Sequence, residues 1–249
     1  MLSRKELDMT FQDQAVLITG ASRGLGAALA RTFAKQGARL VLVSRQRDQL
    51  EHVVRAIRDA GGEAHALTAE IGDKYAIHRL SGAASALLGP IDVVVHNAST
   101  LGKTPLVPLL DTECEELERV LAVNLVGPFR LSRALVGSMA LRGAGQVVHI
   151  SSDAAVNAYA NWGAYSISKA ALDHLSRVWA EELRDFGVRL LSIDPGEMDT
   201  AMHAAALPEA DPSSLLRPEG VAERILAILA DPSIPSGARV EAAQYGGKS

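Results

Sequence analysis

The chain of 249 residues contains one cysteine, Cys114, and only 4% aromatic residues. A single thiol excludes an internal disulfide and leaves no cysteine-based metal site. Within TECEEL, Cys114 reads as a bystander on a helix surface. Seven histidines are scattered without H-x-x-x-H spacing or acidic partners at ligand distance, so no metal site is read from them. No uninterrupted apolar run approaches the ~18 residues needed to span a bilayer. The opening segment MLSRKELDMTFQDQ has no apolar core of a signal peptide. A dominant charge is also missing: Lys+Arg 25 against Asp+Glu 29 gives a formal charge of −4. With no basic cluster to track phosphates, nucleic acid is not an expected partner. These absences together point to a globular, cytoplasmic protein acting on a small molecule, with no membrane partner.

What the chain does hold is alternation. AVLITG (15–20) is a short apolar run ending in glycine, the pattern of a buried parallel strand. Residues 24–36 then place Leu25, Ala28, Leu29 and Phe33 at helical spacing, and Gly37 stops the helix. RLVLVS (39–44), EAHALT (63–68), IDVVVHN (91–97), QVVHIS (146–151), VRLLSI (188–193) and ARVEAA (238–243) read as further strands. Helices are expected over 46–62, 74–89, Asp111 to Arg142, 163–186 and 218–229, the last with Pro218 in its first turn. The Ala-, Pro- and Ser-rich stretch 196–217 reads as a mobile substrate loop with a short helix inside, carrying Met198, Met202 and His203. The GGKS tail reads as frayed. Strand and helix alternate about six times at crossover lengths, with no linker or repeat. The pattern predicts one α/β domain over 1–249, a doubly wound, Rossmann-type parallel sheet of about seven strands with helices on both faces.

Between the first strand and first helix lies Thr19-Gly20-Ala21-Ser22-Arg23-Gly24-Leu25-Gly26. Glycines there let the backbone approach a pyrophosphate, and the helix start offers free N–H groups and a positive dipole end. The G-x-x-x-G-x-G spacing differs from the G-x-G-x-x-G fingerprint, and tight strand–helix packing alone would also ask for glycine. At the tip of the second strand, where an NAD site places a carboxylate, stand Ser44 and Arg45. Arg45 and Arg23 converging on that corner suit a 2′-phosphate, so NADP(H) is the expected cofactor; two solvated surface arginines is the competing reading.

Tyr165 and Lys169, at i and i+4 near the start of a long helix, share one face. A phenol titrates near pH ~10, and a neighbouring ammonium is expected to lower that value toward useful acid–base chemistry. Ser152 closes a buried strand at the end where ligands sit in open parallel sheets, so its hydroxyl can meet a carbonyl oxygen. Asn124 is an unexpected amide inside the long helix. Pro128, four residues on, has no N–H for the Asn124 carbonyl, which must pair with a water or the Lys169 ammonium. A plain proline kink would produce the same string.

Taken together, TGASRGLG, His96-Asn97-Ala98, Asn124, Ser152, Y-S-I-S-K and Pro195-Gly196 resemble, in order, the short-chain dehydrogenase/reductase family. Its bacterial 3-oxoacyl-carrier-protein reductases are especially similar, over roughly residues 12–230. The resemblance implies that Tyr165 is the acid–base residue, that Lys169 lowers its pKa and holds the nicotinamide ribose, and that Ser152 orients the carbonyl. Asn124 would complete a proton relay. Cofactor contacts are implied for Gly20, Ser22, Arg23, Gly24, Leu25 and Gly26, for Asn97 and Ala98, and for Pro195, Gly196 and Thr200. Ser44 and Arg45 join them, with Glu70 and Ile71 where the family has Asp-Val near the adenine. The family's usual Asn-Asn-Ala-Gly stands here as His96-Asn97-Ala98-Ser99, and the common V-D-G-G ending is absent. Homodimers or homotetramers are the family's usual assemblies. Expected activity is interconversion of a carbonyl and an alcohol; a catalytically silent dinucleotide sensor or an NAD-dependent alcohol dehydrogenase are the alternatives. Substrate identity is not legible.

Overall fold

A computed structural model describes residues 11–246. The opening residues 1–10 and the last residues of the tail, 247–249, lie outside it. Seven strands form one parallel sheet: β1 (Ala15–Thr19), β2 (Arg39–Ser44), β3 (Glu63–Thr68), β4 (Val93–His96), β5 (Gly145–Ile150), β6 (Val188–Asp194) and β7 (Arg239–Glu241). Their order is β3-β2-β1-β4-β5-β6-β7, and each neighbouring pair runs parallel. The helices are α1 (Gly24–Lys35), α2 (Arg47–Asp59), α3 (Lys74–Leu88), α4 (Cys114–Leu121), α5 (Gly127–Arg142), α6 (Gly163–Glu182), α7 (Ala201–Ala206) and α8 (Pro218–Ala230).

The strand sequences explain the two layers. Successive strand side chains point to opposite faces, so a strand apolar at every position needs cover on both. Val16, Ile18, Leu40 and Leu42 pack with α1, α2 and α8 in one core. Leu17, Val41, Val43 and Val94, one residue out of phase, pack with α3 and α5 in the other. After β3 the chain returns to the middle of the sheet to lay β4 beside β1. The connections leaving those two strands part in opposite directions, which opens a crevice beyond their C-terminal ends.

Two sequence expectations change. The long helix does not begin at Asp111: Leu109–Asp111 is a separate 3₁₀ turn and α4 starts at Cys114, which is exposed. Nor is it uniform, because Ala122–Val126 forms a π turn between α4 and α5. Pro128 explains why: it cannot donate to the i−4 carbonyl, and one widened turn absorbs the missing bond. The stretch Cys114–Arg142 is long and apolar enough to cross a membrane by length and composition alone. Its Leu131, Leu135 and Met139 are buried against the sheet.

Candidate active site

The glycine turn is shaped by close approach. Gly20 (φ +68°) and Gly24 (φ +53°) occupy the left-handed region that disfavours side chains. A Cβ on Gly26 would stand 2.2 Å from the Gly20 carbonyl oxygen and 2.5 Å from Asn97 Nδ2. Asn97 clamps the turn from β4, its amide donating to the Thr19 and Gly20 carbonyls at 3.0 Å each. Thr19 Oγ1 in turn accepts from the Asn97 and Ala98 N–H groups at 3.1 Å. The N-terminus of α1, at Arg23, has no side-chain cap, so its first N–H groups face the crevice without a partner from that side chain.

At the β2 corner, Ser44 Oγ donates to Ser22 Oγ at 2.9 Å. Arg45 is not free: its guanidinium pairs with Glu70 at 3.1 Å, both side chains well exposed at 63% and 39%. Glu70 also accepts from the Gly72 N–H at 3.2 Å. The residue expected beside an adenine thus holds the arginine expected beside a phosphate. Ile71 is buried next to it.

Deeper in the crevice, Asn124 is buried in the π turn with its side chain fully engaged. Its Oδ1 accepts from Thr100 N at 2.8 Å, and its Nδ2 donates to the Thr100 carbonyl at 2.9 Å and to Ser168 Oγ at 3.0 Å. The amide therefore ties the segment after β4 to α6. Lys169, also buried, donates to the Ile150 carbonyl at 2.6 Å, not to Asn124. Its ammonium stands over the Tyr165 ring, 5.5 Å from the centre. Burial lowers the Lys169 pKa to about 8, while Asp173 and Asp194 oppose that change.

The expected lowering of the Tyr165 pKa is not what the chain's own groups produce. Burial pushes the phenol up to about 12, the nearby Ser152 and Ser99 hydroxyls oppose, and the charges of Asp194 and Asp153 reinforce the rise. Desolvation of the phenolate is the largest cause. Ser152 Oγ donates to Asp153 Oδ1 at 3.0 Å, and the buried Ser99 Oγ has no hydrogen-bond partner among the described residues. Trp162 packs edge-on against Tyr165, ring centres 5.7 Å apart.

One cavity of about 380 Å³ joins these parts. Of the residues expected at a cofactor, Gly20, Ser22, Arg23, Gly24, Leu25, Ser44, Arg45, Glu70, Ile71, Asn97, Ala98, Tyr165, Lys169, Pro195 and Thr200 line it. Gly26 and Asn124 lie behind the wall, Gly196 turns at φ +77° beside it, and Ser152 stands beside Tyr165 without lining the cavity. Thr200 Oγ1 accepts from His203 N at 3.2 Å, capping α7. The loop from Pro195 is packed down: Met198 joins the core beneath α1 and α8, and Met202 and Ala206 join Leu101, Leu106, Trp162 and Tyr165 in an apolar cluster.

Three residues that sequence reasoning left aside belong to this region. Ser99 was legible only as a departure from glycine. Asp153 follows Ser152 and holds its hydroxyl. Arg239 of β7 donates to Asp194 at 2.7 Å, to Asp173 at 3.2 Å and to the Ser152 carbonyl at 3.0 Å. The clue to it was an arginine inside a strand that had to be half buried.

Residues 14–211 match the family model described as short chain dehydrogenase. The 2,3-dihydro-2,3-dihydroxybenzoate dehydrogenase of Bacillus subtilis (strain 168) is 34% identical over 191 residues, 77% of this chain and 72% of that protein. The 7alpha-hydroxysteroid dehydrogenase of Escherichia coli (strain K12) is 32% identical over 209 residues, 84% of this chain and 80% of that one. A metagenomic short-chain oxidoreductase solved in complex with NADP superimposes with a TM-score of 0.79 at 34% identity, over 93% of this chain and 98% of that one. With the family model spanning most of its length, this chain belongs to the short chain dehydrogenase family of oxidoreductases.

Proposed function

We propose that the protein interconverts a carbonyl and a secondary alcohol with NADP(H). The observation that carries this reading is the single cavity running from the uncapped start of α1 to Tyr165 and Lys169. The glycine turn fits a dinucleotide, because Gly20 and Gly24, at positive φ, bring backbone to the cavity wall, and Gly26, packed behind them against the Gly20 carbonyl, leaves no room for a Cβ. Gly20, Ser22, Arg23, Gly24 and Leu25 would hold the phosphates, and Asn97, Ala98, Lys169, Pro195, Gly196 and Thr200 the nicotinamide half. Bound there, the cofactor supplies or accepts the hydride. The chain does the rest. Tyr165, kept protonated by burial, donates its proton to the carbonyl oxygen during reduction. Ser152 orients that oxygen, and Lys169 holds a ribose hydroxyl near the phenol. Asn124 keeps the widened turn and α6 in register and would complete a water-linked relay.

Preference for NADP(H) rests on Arg23 and Arg45, with the NADP complex of the metagenomic relative in support. Arg45 must exchange Glu70 for a 2′-phosphate, which an exposed pair does at small cost. Residues 1–249 act as one domain, with 196–217 covering the substrate. Exposed Ile167 and Val178 on α6 and Phe129 on α5 favour a homodimer or homotetramer. The test is a parallel titration with NADPH and NADH followed by nicotinamide fluorescence. NADPH should bind more tightly, and Arg45→Asp should swing preference toward NADH. Tighter NADH binding would keep the oxidoreductase and overturn the arginine reading. Binding of neither would overturn the proposal, and binding without turnover of any carbonyl would favour a dinucleotide sensor.

A further inference from the structure

We infer that Asp153 selects a substrate carrying a hydroxyl on the carbon next to the reacting carbonyl: an α-hydroxy ketone in reduction, a vicinal diol in oxidation. The inference rests on the oxidoreductase reading above and names the substrate class of the same site. A serine hydroxyl has one proton to donate. The proton of Ser152 is given to Asp153 Oδ1 at 3.0 Å, while its oxygen accepts from Ala154 N at 3.2 Å. A carbonyl oxygen approaching Ser152 would therefore meet an acceptor facing an acceptor. To donate to substrate, Ser152 must turn its proton away from Asp153 and leave Oδ1 without a donor, at a cost for a half-buried carboxylate.

A hydroxyl on the adjacent carbon resolves the conflict. The two oxygens of an α-hydroxy ketone stand roughly 2.8 Å apart, about one hydrogen-bond length, which matches the 3.0 Å between Ser152 Oγ and Asp153 Oδ1. The carbonyl oxygen takes the Ser152 proton while the substrate hydroxyl donates to Asp153. Asp153 Oδ2 is already held by the Tyr159 hydroxyl at 2.8 Å, which fixes the carboxylate's direction. Nothing in the local backbone needs that carboxylate: Ser152 caps the short 3₁₀ turn Asp153–Ala155 through its own hydroxyl. Asp153 follows Ser152 at the C-terminal end of β5 and holds its hydroxyl, and its charge acts on the Tyr165 phenol. In the reduction, hydride adds to the carbonyl carbon, the Tyr165 proton goes to its oxygen, the nicotinamide is oxidised, and the neighbouring hydroxyl is unchanged.

The test compares 2-hydroxycyclohexanone with cyclohexanone, using the full chain and NADPH. The hydroxy ketone should have the higher kcat/KM by roughly 10- to 100-fold, the range of a hydrogen bond to a charged group. Asp153→Asn keeps the shape and weakens the acceptor, and should shrink the ratio several-fold. Asp153→Ala should bring it near one. If the alanine variant fails to fold, the asparagine variant decides. A ratio near one in the unaltered protein, or one unchanged in Asp153→Asn, overturns this inference alone. Turnover of neither ketone by protein that binds NADPH and reduces another carbonyl overturns this inference alone; turnover of no carbonyl overturns the oxidoreductase reading and this inference with it.

Discussion

Tyr165 and Lys169 sit four residues apart in the sequence, yet burial decides their protonation. The phenol, raised to about 12, stays protonated at neutral pH, and the ammonium, lowered to about 8, stays mostly charged. In the proposed mechanism a protonated phenol suits the reductive direction, in which it gives its proton away. Tyr165→Phe should lower turnover by roughly 10²- to 10⁴-fold, the usual contribution of a general acid, with NADPH affinity by fluorescence nearly unchanged. Retained turnover would remove Tyr165 from the mechanism. In that mechanism Lys169 sets the pH dependence: its folded pKa lies below the ordinary lysine value, so the charge is present below about pH 8 and is lost as pH rises through it. The kcat for reduction should hold below about pH 8 and fall above it. Lys169→Arg should abolish that fall, because a guanidinium does not titrate there. The residue pair was legible from spacing alone; the direction of the Tyr165 shift was not, because desolvation depends on what packs around the ring.

Elements carry a second consequence, in strands β4 and β5. His96 and His149 are register partners and their rings stack 5.1 Å apart, 14° from parallel. His96 bonds Ser132 Oγ at 2.7 Å, while neither ring nitrogen of His149 has a partner among the described residues. Burial is the main cause that lowers both pKa values, His149 to about 3, with the His149 charge adding to the effect on His96 and the Lys169 charge to that on His149. The sign follows from linkage. The unfolded chain takes up protons on these histidines below about pH 6.5 and the folded chain does not, so stability is lost as pH falls through that value. Each imidazole contributes up to about 1.4 kcal/mol per pH unit. Urea midpoints between pH 7 and about 5.5 should fall in the unaltered protein and fall less steeply in His149→Asn. Equal slopes would mean that carboxylates, not this pair, govern acid stability. Alternation of strand and helix was readable, and so was Pro128 as a local fault. The π turn that the fault produces was not, since helical periodicity does not distinguish a kink from one widened turn.

At the scale of the whole molecule, the crevice between β1 and β4 gathers side chains from every part of the chain, and a ligand there stabilises them together. NADPH at about 100 times its Kd should add about 2.7 kcal/mol to stability, several degrees in Tm for a domain of this size. NADH at the same concentration should add less. Equal shifts would contradict the 2′-phosphate reading, and no shift would contradict the cavity as a dinucleotide site. The sequence by itself determined the doubly wound sheet, because runs such as AVLIT are apolar at every position and need cover on both faces. It also determined the glycine turn, whose local spacing states its own backbone requirement. Only the tertiary structure decided that Arg45 rests on Glu70, that Asp153 holds the Ser152 proton, and that Arg239 gathers Asp173, Asp194 and the Ser152 carbonyl. Spacing along a chain reports what shares a helix face or a strand edge. Pairing between polar groups far apart in sequence depends on which elements the sheet order brings side by side, and on which charges burial leaves needing a partner.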